Sequence, residues 1–98
     1  MKNVVGILLD SKDNVVTVTE DVQVGDTVVY RSGDDTESVV SLSEIGTGHK
    51  ISLVDIPAGG EVIKYGHFIG TVLLLIKKGQ HVDHHNITGR HVQKVFEE

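Results

Sequence analysis

The octapeptide DVQVGDTV at residues 21–28 carries the pattern that decides the fold of this chain. An apolar residue is followed by two residues, a glycine, two further residues and a valine. The same spacing returns in DIPAGGEV at 55–62 and in LIKKGQHV at 75–82. A tight reversal needs a residue that tolerates a positive φ, while the apolar residues on either side enter a common core. The pattern predicts a small, folded-over β structure, and it is explained equally by a duplication or by a recurrent kind of turn.

Short β-branched runs, separated by Gly, Asp, Asn and Ser, predict strands along the rest of the chain. No crossover helices of a parallel α/β domain are evident in the sequence. The spacing of Val92, Val95 and Phe96 is compatible with a short C-terminal helix. We therefore expect one mainly-β domain over 1–98, with its core at about 3–87 and a C-terminal tail at 88–98. The eight predicted strands lie at about 4–9, 15–19, 27–30, 38–42, 49–53, 62–64, 71–76 and 81–86.

Composition limits the classes of function. The 98 residues include two Tyr, two Phe and no Trp, so the chain buries a modest core, which favours a partner chain. A net charge of −5 argues against a nucleic-acid surface. Without cysteine, His and carboxylates are the strong metal ligands that remain. The apolar run 4–9 is too short for a membrane span or a signal segment, so we expect a cytoplasmic protein without membrane contact.

The run His81-Val82-Asp83-His84-His85-Asn86 is the densest chemical stretch. In a strand, alternate side chains share a face, which places His81, Asp83 and His85 together. Two imidazoles and a carboxylate suit a divalent ion such as Fe²⁺, Mn²⁺ or Zn²⁺, and they equally suit general acid–base chemistry. A solvated, polar strand end explains the same residues.

Two further clusters are basic. His49 and Lys50 follow the glycine-rich loop 46–48, which presents an imidazole and an ammonium group at the start of a strand. Lys64 and Tyr65 form the second cluster. Lys50 could bind a carboxylate, whereas exposure after a turn is the structural alternative. For Tyr65 that alternative is a ring that caps the core and leaves its hydroxyl in water.

The segment 48–86 contains a series of short motifs in a characteristic order: Gly48-His49-Lys50, Asp55-Ile56, Gly59, Ile63-Lys64-Tyr65-Gly66, Ile69-Gly70, Gly79, His81-Val82 and His85-Asn86. By these motifs the segment resembles the N-terminal SAF-type domain of altronate and galactarate dehydratases, and also the small subunit of the related sulfolactate sulfo-lyases. One departure is Asp83, where the family usually has a histidine, with His84 beside it. Aspartate also ligates hard divalent ions, so metal binding tolerates this change better than proton transfer does.

The resemblance implies a compact β-clip, SAF-like fold and a share in an active site that a large catalytic subunit completes. It implies a lyase of sugar-acid catabolism that eliminates water from altronate or galactarate, as a subunit that is inactive alone. The alternatives are the sulfo-lyase small subunit and a non-catalytic carbohydrate-binding or interaction module. A homo-oligomer is compatible with each.

The same resemblance implies the roles of individual residues. The implied cofactor is a divalent metal, Fe²⁺ or Mn²⁺, shared with the large subunit. His81, Asp83 and His85 are its predicted ligands. The catalytic candidates are His49, His81 and His85, and the residues expected to bind the sugar-acid substrate are Lys50, Lys64, Tyr65 and Asn86.

Overall fold

The computed structural model describes residues 1–83 and 85–88, and within these ranges it contains strands and turns but no helix. The prediction of an all-β fold is confirmed, and the architecture agrees with a β-clip SAF domain. The predicted C-terminal helix, residues 89–98 and His84 lie outside the described residues. The strands are β1 (Asn3–Ile7), β2 (Val15–Val18), β3 (Thr27–Ser32), β4 (Asp35–Val40), β5 (Lys50–Ser52), β6 (Glu61–Lys64), β7 (His67–Val72), β8 (His81–Val82) and β9 (Ile87–Thr88).

The strands form two sheets. The larger has the order β4-β3-β1-β2-β5-β8 and the smaller the order β6-β7-β9. Strand β1 changes partner along its length, because Asn3–Val5 pair in parallel with β3 while Gly6 and Ile7 pair antiparallel with β2. A Cβ on Gly6 would lie 2.8 Å from Val28 and 2.9 Å from Val16. Gly6 therefore stands where both neighbouring strands approach the chain closely.

Two apolar clusters flank β2. Its alternate side chains point to opposite faces, so Val15 enters one cluster while Val16 and Val18 enter the other. This explains why β2 carries buried valines on both of its faces. The first cluster contains Val4, Val16, Val18, Val22, Val28, Val39, Ile45 and Ile51, and the second contains Val15, Ile56, Val62, Val72, Ile76 and Val82.

The repeated octapeptide forms a turn that we name the glycine corner, and the described chain contains four of them. The three predicted corners are joined by one at 44–51 (EIGTGHKI), which ends in isoleucine in place of valine. The corner glycines have φ between +84° and +93°, and each donates its N–H to a carbonyl of another segment. These four bonds are Gly25 to Ser41 (2.8 Å), Gly48 to Val18 (2.9 Å), Gly59 to Val72 (2.8 Å) and Gly79 to Ser52 (2.9 Å).

The corners associate in two pairs. Val22 bridges Ile45 in one pair, and Ile56 bridges Ile76 in the other. In each pair, the aspartate at the first position of one corner accepts a backbone N–H from the turn of the other corner. Asp21 accepts from Thr47 at 2.9 Å, and Asp55 accepts from Lys78 at 2.8 Å. The same arrangement therefore occurs twice in the domain.

Two strand predictions are wrong in position. The strand expected at 71–76 is β7, His67–Val72, because the chain then bends into the fourth corner. This bend leaves Leu73, Leu74 and Leu75 exposed by 46%, 74% and 53%, while Ile76 is fully buried. The single strand expected at 81–86 ends at Val82, and a turn separates it from β9.

Candidate functional site

Two glycine corners bring distant histidines together at the edge of the larger sheet. His49 directly follows Gly48, and His81 comes two residues after Gly79. The strands that leave these corners, β5 and β8, pair antiparallel, with Ile51 opposite His81. The backbone N–H of His81 also donates to the Ser43 hydroxyl at 3.2 Å. The corners and the strand pairing thus place two imidazoles side by side although 32 residues separate them.

The two imidazoles and Asp83 form a compact group of candidate metal ligands. His49 Nδ1 lies 3.0 Å from His81 Nε2, and each of these atoms lies 3.9 Å from Asp83 Oδ2. A point equally distant from the three atoms is about 2.1 Å from each, which matches the ligand distances of divalent transition metals. Two imidazoles with one carboxylate also form a donor set typical of Fe²⁺ sites. The residues present therefore fit a divalent ion.

This group differs from the predicted ligand set of His81, Asp83 and His85. The strand that would have aligned those three residues ends at Val82, so the argument from a shared strand face is wrong. The exposed His85 lies on the following turn, with its ring centroid 5.4 Å from that of His81. His49 occupies the third position in the group, and His85 stands beside it.

Asn86 holds the turn that follows β8. Its side-chain oxygen accepts the N–H of Asp83 at 3.0 Å, and its side-chain nitrogen donates to the carbonyl of His81 at 2.7 Å. Its backbone carbonyl accepts the N–H of Leu73. The predicted substrate-binding role of Asn86 stays a prediction, while these bonds fix the backbone on both sides of Val82.

The surroundings of His81 favour its neutral form. Burial lowers the pKa of His81, with only 20% of its side chain exposed, and the nearby His49, His85 and Lys50 act in the same direction. Asp83 opposes them. The 3.0 Å contact with His49 requires one ring nitrogen to donate and the other to accept. A neutral His81 offers a lone pair, which a metal ion or an acidic proton can use.

Lys50 lies on the opposite face of the sheet edge from His81. In the strand register Lys50 is opposite Thr17 and Val82, and Val82 belongs to the second apolar cluster. Burial lowers the pKa of Lys50, the positive charge of Lys64 lowers it further, and Asp83 counteracts both. Lys50 and Lys64 belong to different sheets, on β5 and β6. The positive charge of Lys64 nevertheless affects the pKa of Lys50.

Lys64 and Tyr65 form the tip of the β6–β7 hairpin. The ammonium of Lys64 lies 5.0 Å from the centroid of the Tyr65 ring. Tyr65 is 56% exposed and has a φ of +58°. The structural alternative in which its ring caps the core is therefore wrong, because the ring projects from the turn into solvent.

Sequence reasoning missed two parts of this site. It did not place His49 in the metal group, although the glycine-corner pattern at 44–51 aligns it with the residue before His81. It also gave no role to Asp13, which is 8% exposed and bonds to the Lys64–Tyr65 hairpin. The signal for Asp13 was an Asp-Asn pair directly before a strand, which is common in turns.

The site lies at the surface, with the side chains of His49, His81 and Asp83 exposed by 47%, 20% and 25%. The clearest apolar cleft among the described residues lies elsewhere, between β1 and β3, and is lined by Val5, Ile7, Val29 and Tyr30. In the described part of the chain, no helix is long and apolar enough to cross a membrane. These features define a small all-β domain with an open site of imidazoles, carboxylate and ammonium groups at one sheet edge.

The chain belongs to the family of SAF domains of altronate/galactarate dehydratases, and the sequence pattern of that family matches residues 4–90. It is 38% identical over 80 residues to altronate dehydratase of Escherichia coli strain K12, an alignment that covers 82% of this chain and 15% of that protein. It is 45% identical over 42 residues to galactarate dehydratase (L-threo-forming) of the same strain, an alignment that covers 43% of this chain and 8% of that protein. The predicted resemblance is confirmed, and the chain spans a small part of either relative.

Proposed function

We propose that this chain is the small, SAF-type component of a sugar-acid dehydratase, a hydro-lyase whose main catalytic part lies on a larger chain. The observation that carries the proposal is the convergence of His49, His81 and Asp83 into one group, with Lys50 nearby. Its context is a family whose relatives are named as dehydratases of altronate and galactarate.

The imidazole–carboxylate group is the proposed metal site, held by His49, His81 and Asp83. Fe²⁺ or Mn²⁺ bound there would supply Lewis-acid charge next to the substrate. Three protein ligands leave coordination positions for substrate oxygens and for groups of the larger chain. The neutral form that burial favours for His81 is the form that ligates a metal.

Lys50 and Lys64 are the proposed binding groups for a substrate carboxylate, with Tyr65 beside them. The positive charge of Lys64 disfavours the charged form of Lys50, and an anion placed between the two side chains would offset this effect. A sugar acid meets this requirement and also offers hydroxyl groups to the phenol of Tyr65. Asn86 supports the site by holding the turn between His81 and β9.

The proposed elimination removes a proton α to the carboxylate and expels the neighbouring hydroxyl as water. It needs one base and one acid, and an imidazole can serve as either near neutral pH. His85 is proposed for one of these transfers, because it lies beside His81 and outside the candidate metal group. The openness of the site supports the need for a larger chain that excludes water from the reaction.

The exposed leucines 73–75 are the proposed contact with that larger chain. Three consecutive exposed apolar side chains are unusual on a soluble surface and indicate an interface. They adjoin the site, because the N–H of Leu73 bonds to the carbonyl of Asn86. A larger chain seated here would also border His85.

The test reconstitutes the full chain with a larger dehydratase chain, sought among the products of the neighbouring genes. Water elimination from altronate and galactarate is followed, together with sulfite release from sulfolactate. We expect His81→Ala to reduce turnover by at least about a hundredfold, since even residues that only hydrogen-bond to a metal ligand contribute about 10- to 100-fold. His67→Ala, which changes an exposed histidine on the β6–β7 hairpin, is the matched control and should retain activity.

Direct metal binding completes the test. Calorimetry of the full chain with Mn²⁺ should show a site that His81→Ala weakens and His67→Ala leaves intact. If the larger chain is fully active alone, or if His81→Ala leaves both turnover and Mn²⁺ binding unchanged, the proposal is wrong. Binding of sugar acids without turnover in the reconstituted complex would instead indicate a non-catalytic module.

A further inference from the structure

The loop between β1 and β2 bonds to the β6–β7 hairpin through two side chains. Asn14 imitates a neighbouring strand along β6: its side-chain oxygen accepts the N–H of Ile63 at 2.8 Å, and its side-chain nitrogen donates to the Glu61 carbonyl at 2.9 Å. The Asp13 carboxylate accepts the N–H of Tyr65 at 3.0 Å and that of Gly66 at 2.8 Å. These side chains join the smaller sheet to the larger one.

The turn that Asp13 binds is strained. Tyr65 and Gly66 both have positive φ, +58° and +73°, which is the backbone of a type I′ hairpin turn. Glycine adopts this conformation freely, whereas an aromatic residue pays a steric cost for it. The two N–H groups that Asp13 accepts belong to these two residues, so its carboxylate holds the strained turn in place.

The same turn determines where the Lys64 ammonium lies. Lys64 is the last residue of β6, and its Nζ stays 5.0 Å from the centroid of the Tyr65 ring. Asn14 anchors strand β6 to the larger sheet, and Asp13 anchors the turn that follows it. The separation between Lys64 and the Lys50 side of the site therefore depends on this anchorage.

We propose that Asp13 is a positioning residue of the site, which holds the Tyr65–Gly66 turn so that Lys64 and Tyr65 are preorganised for the carboxylate of a sugar acid. This inference rests on the proposed function. In this proposal Asp13 does not contact the substrate. It acts by keeping the two sheets at the spacing that an anion between them requires. Strained backbone at a binding site, stabilised by its surroundings, is a common sign of such preorganisation.

The experiment compares Asp13→Asn with Asp10→Asn in the reconstituted dehydratase. Asn at position 13 presents an N–H₂ group to one of the two N–H donors, so it loses one bond and repels the turn. Asp10 lies in the same loop, and its Oδ1 accepts the N–H of Lys12, a bond that an asparagine oxygen preserves. The two variants change charge equally, and both carboxylates lie beside the turn, since a Cβ on Gly66 would be 2.7 Å from Asp10 Oδ2. Only Asp13 accepts the N–H groups of Tyr65 and Gly66, so Asp13→Asn removes a bond to the turn that Asp10→Asn leaves in place.

We expect Asp13→Asn to raise KM for the sugar acid at least about tenfold, the effect of losing a well-placed charged contact, while kcat stays near that of the parent. Asp10→Asn should leave both constants unchanged. The double variant Asp13→Asn with Lys64→Gln should raise KM by less than the product of the two single effects, because part of the effect of Asp13 acts through the Lys64 ammonium. A general loss of structure would lower kcat as well and would add to the effect of Lys64→Gln.

An NMR measurement on the full chain alone separates this inference from the proposed function. In the parent, the Tyr65 ring current should shift the Lys64 side-chain protons upfield, and Asp13→Asn should remove that shift while Asp10→Asn preserves it. If the complex has no dehydratase activity but the NMR result is as expected, the proposed function fails and the anchoring role of Asp13 remains.

An unchanged KM and an unchanged ring-current shift in a folded Asp13→Asn variant would overturn the inference. If Asp13→Asn does not fold, Asp13→Glu takes its place. Glutamate keeps the charge and both acceptor oxygens but moves the turn outward by one methylene, so the same rise in KM is expected. An unchanged KM in Asp13→Glu would overturn the inference as well.

Discussion

Replacing Gly79 with alanine tests whether the glycine corners determine the stability of the fold. Gly79 has a φ of +93°, and an added Cβ would overlap the carbonyl oxygen of Val40. No real Cβ approaches a backbone atom so closely, so the corner must shift away from β4. The shift also strains the bonds from Gly79 to Ser52 and from Leu42 to Gly79, at 2.9 and 2.8 Å.

The matched control is Gly33→Ala in the β3–β4 turn, where φ is +63° and no atom lies within 4 Å of the added Cβ. Both substitutions impose a left-handed backbone on alanine, at a cost of about 1 kcal/mol, and both gain about 0.5 kcal/mol from a stiffer unfolded chain. Only Gly79→Ala adds the overpacking, about 1–3 kcal/mol. We expect losses in unfolding free energy of about 0.5 kcal/mol for Gly33→Ala and about 1.5–3.5 kcal/mol for Gly79→Ala.

Urea unfolding at neutral pH measures both losses. Domains of this size have an unfolding free energy of about 5–15 kcal/mol, so the larger loss should lower the urea midpoint visibly at an unchanged slope. Equal midpoints for the two variants would refute the reasoning, because the variants share the backbone cost and differ in the contact with Val40.

Two predictions concern pH. Backbone N–H donors of Gln23 and Lys2 hold the pKa of Asp26 below its usual value of 3.8, so its contribution to stability is complete above pH 3.8 and is lost as pH falls through the lower folded value. Asp26→Asn should flatten the acid side of the urea midpoint measured from pH 3 to 7, and a profile as steep as the parent's would contradict this. Burial lowers the pKa of His81 below its usual value of 6.5. With metal removed by a chelator, the contribution of His81 to folding stability is therefore complete above pH 6.5 and declines as pH falls below that value. His81→Gln should lose this part of the pH dependence in the same assay, and an unaltered slope just below pH 6.5 would show that His81 does not cause it.

The fold was predictable from the sequence where local chemistry decides it. The β-branched runs of β2 and β3 and the corner glycines act through sterics within a few residues, so they are visible in the sequence. The run Leu73–Leu75 was misplaced because apolar character alone does not distinguish a buried strand from an exposed bend. There the tertiary bond of Gly79 to Ser52 fixes the corner that ends β7.

The candidate site was predictable in its residue types and less so in its arrangement. His81, Asp83 and His85 are close in sequence, and a strand would have aligned them. The amide of Asn86 ends that strand by bonding to the backbone of His81 and Asp83. His49 enters the metal group through the pairing of β5 with β8, which is a long-range contact that no local pattern reports.

The change of partner along β1 has a consequence for cooperativity. Asn3–Val5 of β1 pair with β3 of the β3–β4 hairpin, and Gly6 and Ile7 pair with β2. From β2 the sheet continues through β5 to β8, which carries His81. β2, which pairs with β1, contributes Val15 to one apolar cluster and Val16 and Val18 to the other, so loss of its pairing disturbs both. Because β1 is shared, detaching it from either side exposes Val4 and weakens its hold on the other. We expect the domain to unfold as a single cooperative unit, so that damage at the β4 edge is felt at the opposite edge, where the histidines lie.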